Sequence, residues 1–204
     1  MNHLKKVIML TSLLAVLWVV PALGEAGWTG MPSPTSKILR GVWGSSGTDV
    51  FAVGDDGVIL HYNGSGWDMS SRSLYQFSGV WGSSGTGVLA VGTMLSSGTV
   101  LRYDGSTWSK MTSWGYPLSS IWGSSATDIF AGGFNTILHY NGSNWTNMYD
   151  SSQSNDYFLS VWGSSGTDVF AAGARSVQHY NGTAWTAMSI PTSNTLRGLW
   201  GSSG

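Results

Sequence analysis

Three features of the sequence predict an all-β fold, a β-propeller of four-stranded antiparallel blades. A Trp-Gly-Ser-Ser tetrapeptide begins at Trp43, Trp81, Trp122, Trp162 and Trp200. Each of the first four copies is followed by the same short apolar runs, as in Val50 to Val53, Val58 to Tyr62 and Trp67 to Met69. Gly, Asn, Asp and Ser separate these runs, which marks them as strands joined by turns rather than as helices. Four short strands every 38 to 41 residues make one propeller blade. A β-solenoid is the competing repeat fold, but its coils are shorter and parallel and need no hairpin turns.

Taken in chain order, the first element is an address. Lys5 and Lys6 precede an apolar run from Val7 to Val20, then Pro21-Ala22-Leu23-Gly24. That order of basic, apolar and small-residue regions predicts a signal peptide over residues 1–24, with cleavage before Glu25 or after Ala26. The run is short for a bilayer span, so an uncleaved anchor is the weaker alternative and no stable membrane insertion is expected after cleavage. The predicted location is therefore secreted or periplasmic. The chain has no cysteine, which excludes a disulfide framework and leaves packing alone to hold the exported domain together.

The repeat domain spans residues 25–204, with complete blades at about 38–75, 76–116, 117–156 and 157–195. An Asn-Gly or Asp-Gly pair returns at Asn63, Asp104, Asn141 and Asn181, and is expected to form two-residue hairpins with both central residues at positive φ. Trp28-Thr-Gly-Met31 matches the fourth-strand segments that start at Trp67, Trp108, Trp145 and Trp185, and Leu196 to Gly204 matches a first strand. Partial blades at 28–31 and 196–204 predict an open or truncated ring, a fragment of a longer array. The repeated tryptophans, Trp162 among them, are expected to be buried between sheets.

Composition narrows the partners. Only 9% of residues are charged and the net charge is −1, so no basic field exists for phosphate backbones, and nucleic acid is excluded as a partner. With 42% hydrophobic residues and aromatics on a fixed period, the chain has the material for a packed core.

Val-Trp-Gly-Ser-Ser, Thr-Asp-Val-Phe-Ala-Val-Gly and Ile-Leu-His-Tyr-Asn-Gly followed by Trp, as read from Val42 to Trp67, resemble the repeats of secreted bacterial β-propeller proteins grouped loosely with the BNR and Asp-box propellers. The resemblance covers residues 28 to 204 and implies a structural role for the Thr-Asp turn. Val50-Phe51-Ala52 follows Asp49 where a sialidase-type Asp-box carries Gly and Thr-Trp, a departure from the enzymatic pattern. Trp67-Asp68 is not a WD40 signature, because the other repeats place Ser or Thr after this Trp.

The recurring polar residues read as structure. Asp49, Asp128 and Asp168 share one repeat position with Gly87, and His61, His139 and His179 share another with Arg102, so the histidines are spread around the ring and form no single metal site. Glycoside hydrolysis needs two carboxylates facing one cleft. The mature chain has a single Glu, Glu25, and most of its aspartates lie in repeated turns. No Gly-x-Ser-x-Gly elbow and no nucleophilic Cys are present. No catalytic residue, no metal and no cofactor are predicted.

Function is expected where the repeats differ. Loops between second and third strands share a face with the crossings between blades, and variation concentrates there. The candidate binding residues are Trp114 and Tyr116, an aromatic step in the crossing 113–117, with Tyr75, Asp55, Asp56, Tyr149, Tyr157 and Arg175. Trp114 alone among tryptophans after the leader lies outside the repeat positions, where it either stacks on a sugar or folds over a blade edge. The predicted function is a secreted, non-catalytic module that engages a glycan or a cell-surface protein through this face. A spacer array in a larger exported protein and a BNR-type hydrolase fragment are the alternatives.

Overall fold

The computed structural model describes residues 29–149 and 156–202. The signal-peptide segment, Trp28 and the 150–155 part of one crossing lie outside the described residues. Among the described residues no helix is long and apolar enough to cross a membrane.

Among the described residues sixteen strands form four antiparallel sheets of four, each in simple sequential order. The first blade comprises β1 (Leu39–Ser46), β2 (Asp49–Gly54), β3 (Ile59–Tyr62) and β4 (Trp67–Ser71). The second comprises β5 (Gln76–Gly82), β6 (Val88–Met94), β7 (Ser97–Tyr103) and β8 (Trp108–Trp114). The third holds β9 (Leu118–Ser125), β10 (Asp128–Gly133), β11 (Thr136–Tyr140) and β12 (Trp145–Asn147). The fourth holds β13 (Phe158–Ser165), β14 (Asp168–Gly173), β15 (Val177–Tyr180) and β16 (Trp185–Met188). The fold is a β-propeller with four complete blades in an open arc.

Core residues lie between blades. Phe51, Val53 and Ile59 of the first blade meet Phe77, Val80 and Val88 of the second, and Phe130 and Ile137 of the third meet Phe158, Val161 and Val169 of the fourth. Because each central strand is covered on both faces, its apolar run is nearly continuous. Among the described residues no sheet covers the outer side of the first blade, and Val42 is 69% exposed while its counterpart Val80 is 9% exposed.

The repeated tryptophans are half-buried rather than enclosed, which revises the expectation for Trp162. Each lies on a glycine of the following blade: Trp43 on Gly82, Trp81 on Gly123, Trp122 on Gly163 and Trp162 on Gly201. This contact reserves glycine after the tryptophan of every copy from the second onward, while a side chain on Gly44 would meet Val50 and the Asp49 carbonyl of its own blade. The Leu196–Gly201 segment takes the place of a further first strand: the Leu196 amide donates to the Gly173 carbonyl at 3.0 Å and the Leu199 amide to Ser160 Oγ at 2.9 Å. Among the described residues it forms no ladder, and Trp200 is 86% exposed. Thr29 to Met31 form no strand.

The Asn-Gly hairpins also differ from expectation. Tyr62 pairs with Trp67, so four residues form the loop, and only the glycines have positive φ, 91° at Gly64 and 99° at Gly105. The side chain ahead of the glycine replaces the missing tight turn. Asn63 Oδ1 accepts from the Ser65 and Gly66 amides at 3.0 and 3.2 Å, and Asp104 Oδ1 accepts from Ser106 and Thr107 at 2.9 and 2.8 Å. These bonds hold the Asp104 carboxyl well down, at a pKa of about 2.

Candidate functional site on the variable face

The face formed by the β1–β2 type turns is clasped in the same way in three blades. Asp49 accepts from Ser45 and faces His61 Nε2 at 2.6 Å; Asp128 and His139, and Asp168 and His179, repeat this at 2.7 Å with Ser124 and Ser164. Each imidazole stacks on the phenylalanine of the neighbouring strand, as His61 does on Phe51 with ring centres 4.2 Å apart. In a nucleophilic triad the imidazole accepts the serine proton. Here serine and histidine both converge on the carboxylate, so the arrangement ties three strands together and leaves the hydroxyl unactivated. The Ser45 bond, followed by His61, lowers the Asp49 pKa, and Ser164 and then His179 do the same to Asp168.

A steric interlock accompanies the clasp. Asp49 Oδ2 occupies the space that a side chain on Gly85 of the next blade would need, and Asp128 Oδ2 does the same to Gly166. The second blade has Gly87 in place of the aspartate, and the third blade correspondingly carries Ala126 where the others carry glycine.

The opposite face holds the residues that vary. Of the predicted site, Tyr116 and Tyr157 come together through a residue outside the predicted set, Phe134. Tyr116 is 47% exposed and its ring centre is 5.8 Å from that of Phe134, which is 6.0 Å from Tyr157. Phe134 and Tyr157 are locked in place by an isolated antiparallel bridge, and the Asn135 amide donates to the Asp156 carbonyl at 2.9 Å. The row thus joins two blade crossings to the β10–β11 loop.

The other predicted residues take different positions. Trp114 ends β8 opposite Gly98 and is half-buried against the cluster that includes Leu118 and Ile121. Tyr75 is half-buried against the first interblade core, with Phe77 5.8 Å away. Tyr149 packs edge-on against Phe158 at 4.8 Å and its hydroxyl donates to Asp156, itself buried. Asp55 receives two bonds from Arg40, at 2.6 and 2.9 Å, and Asp56 pairs with Lys37 at 2.5 Å. These cations lower both carboxyl pKa values, and Asp55 raises that of Arg40. Asp56 turns the chain with φ of 55°. Arg175 stands exposed at the β14–β15 turn.

Sequence reasoning overlooked the ring axis. A cavity of about 340 Å³ there is lined by Arg40, Ser78, Ser119, Tyr157, Leu159 and Arg197. Arg40, Ser78, Ser119 and Leu159 are the residues skipped by the register shifts of β1, β5, β9 and β13, so each is the extra residue of a β-bulge. Bulges re-aim side chains, and here they turn one residue per blade toward the axis. Arg197 holds the same repeat position in the Leu196–Gly201 segment. The signal in the sequence is this column itself, Arg, Ser, Ser, Leu, Arg, which changes character while the tryptophan three residues on does not. No group of three or more His, Asp or Glu side chains suited to a metal gathers among the described residues.

No family model and no curated protein matches the chain. Solved structures do. YCF48 from Cyanidioschyzon merolae is 19% identical with a TM-score of 0.65, over 85% of this chain and 63% of that one. A structure of YCF48 bound to D1 peptide is 18% identical with a TM-score of 0.65, over 88% and 62%. An ancestral GH74 enzyme is 16% identical with a TM-score of 0.62, over 81% of this chain and 26% of that one. The chain spans less than two thirds of the length of each of these structures. At such identities the likeness is one of fold, and the fold these proteins share with this chain is the β-propeller.

Proposed function

We propose that the chain is a non-catalytic protein-interaction module, exported by its N-terminal segment, that engages its partner through the variable face. The observation that carries this reading is the division of labour between the faces. One is closed by repeated Ser-Asp-His clasps, while the other presents the Tyr116–Phe134–Tyr157 row beside an axial cavity. Invariant scaffolds with varied loops place recognition on the loops. The row is at most about 12 Å from end to end, the length of three to four residues of extended peptide. The peptide complex of the structural neighbour YCF48 supports a peptide-sized partner by analogy of fold alone.

Selection of a displayed random dodecapeptide library on the folded chain tests this. Binders are expected to lose at least tenfold in affinity on Tyr116→Ala or Tyr157→Ala and to be indifferent to Arg102→Gln on the other face. Failure to select any binder, or binders insensitive to both tyrosines, overturns the reading. A glycan is the second reading, favoured by the exposure of Tyr116; saturation-transfer contacts from a sugar to Tyr116 would establish it.

A further inference from the structure

The bulges and the charge distribution together say more about the partner. The clasp face carries its aspartates, Asp49, Asp104, Asp128 and Asp168, in turns, whereas Lys37, Arg40, Arg72, Arg175 and Arg197 all lie on or toward the variable face. There Asp55 and Asp56 are already held by Arg40 and Lys37, and Asp156, beside Tyr157, is buried and accepts from the Tyr149 hydroxyl. Arg197 makes no ion pair among the described residues, and Ser78 and Ser119 make no side-chain hydrogen bond among them. Arg40 uses Nε and Nη2 on Asp55 and keeps Nη1. The axial cavity therefore gathers two guanidinium groups and two hydroxyls, all donors, with Tyr157 and Leu159 as its apolar side.

We infer that this cavity is a carboxylate-binding subsite that takes an acidic side chain of a partner peptide, the bulge residues Ser78 and Ser119 and the guanidinium of Arg197 donating to it while the neighbouring residues of the peptide lie on the aromatic row. A planar guanidinium meets a carboxylate with two parallel bonds, and hydroxyls supply further donors to its remaining lone pairs. The repeat position explains how the fold assembles such a group: a bulge in each of the four blades delivers one side chain to the axis and the Leu196–Gly201 segment delivers a fifth, so the five copies bring four donors and Leu159 to one cavity. Arg40 is oriented by Asp55, which leaves Arg197 as the adjustable member. The inference rests on the peptide-binding reading above and specifies its chemistry.

The test uses two synthetic fluorescent peptides, Gly-Tyr-Glu-Glu-Tyr-Gly and Gly-Tyr-Gln-Gln-Tyr-Gly, both with capped ends, titrated against the full chain. The acidic peptide is expected to bind at least tenfold more tightly in 50 mM salt and to lose most of that advantage in 500 mM salt. Arg197→Gln is expected to erase the difference between the two peptides, as Ser78→Ala with Ser119→Ala is expected to reduce it. Arg102→Gln, on the clasp face, is expected to leave it intact. Equal binding of both peptides, or an acidic preference that survives Arg197→Gln, overturns the inference. If library-selected peptides depend on Tyr116 and Tyr157 yet carry no acidic residue, the interaction module stands and the carboxylate subsite fails. If no peptide of either kind binds, both fail.

Discussion

The six-membered ring of the Trp122 indole in the third blade packs on Gly163 of the fourth, so that a methyl group on that glycine would stand 2.7 Å from the ring. The same pairing joins every blade to the next. Truncation of Trp122 to Ala is expected to cost about 3 kcal/mol, the lower end for a core aromatic because the ring is half-exposed. Gly163→Ala should destabilise by about 1 to 3 kcal/mol through overpacking, since the Asp168 carbonyl at 2.8 Å blocks retreat on the other side. Denaturant unfolding of both variants checks this, and a loss below about 0.5 kcal/mol in Gly163→Ala would show that the ring moves freely.

Gly87 and Ala126 are expected to be energetically coupled. Gly87→Asp alone should gain nothing, because its carboxylate meets the Ala126 methyl where the other blades have glycine. Together with Ala126→Gly and Arg102→His it should rebuild the clasp and stabilise by about 1 kcal/mol, the net worth of a typical hydrogen bond. A double-mutant cycle on positions 87 and 126 is expected to show coupling above about 0.5 kcal/mol. Additive effects would mean that the interlock is not felt.

Acid sensitivity should concentrate in the turns. The folded pKa of Asp104, about 2, lies below the unfolded value near 3.9. Its contribution is therefore fully present above about pH 4 and is lost as the pH falls toward 2. Asp104→Asn keeps the acceptor and matches the residue at the other three turns, so the variant should fold. The difference in urea midpoint between it and the parent should shrink between pH 4 and pH 2. A difference independent of pH would show that the charge of Asp104 contributes nothing.

Val42 and Val80 occupy the same repeat position with opposite surroundings. Val80→Ala is expected to cost about 2 kcal/mol and Val42→Ala to stay within about 0.5 kcal/mol. Equal costs in thermal or denaturant unfolding would show that something covers the face of the first blade in solution.

The period of the tetrapeptides was enough to read the fold class, because a strand that is apolar on both faces and bounded by glycine leaves few architectures open. What escaped the sequence were features that depend on register. The hydrogen bond of His61 to Asp49 crosses from β3 to the start of β2, and no spacing along the chain announces that the two meet. The loop at Asn63 was misjudged because two residues were counted where the ladder closes around four. At the candidate site Tyr116 and Tyr157 were visible as variable aromatics. Phe134 belongs to the same variable loops, but nothing in its spacing links it to the two tyrosines; Ser78 and Ser119 are hidden inside strands that otherwise repeat, and Arg197 in a segment that copies a first strand.

The interlock between a carboxylate and the glycine of the following blade also bears on how such a gene can change length. Tandem repeats gain and lose copies by recombination between near-identical segments. Loss of the second blade would bring Asp49 against Ala126, where the methyl group occupies the place its carboxylate needs. Loss of the third would bring Gly87 against Gly166, leaving only a small gap. The two deletions remove nearly the same length of chain, but only the second leaves a compatible junction, so the order of the blades is part of the inheritance and not merely their number.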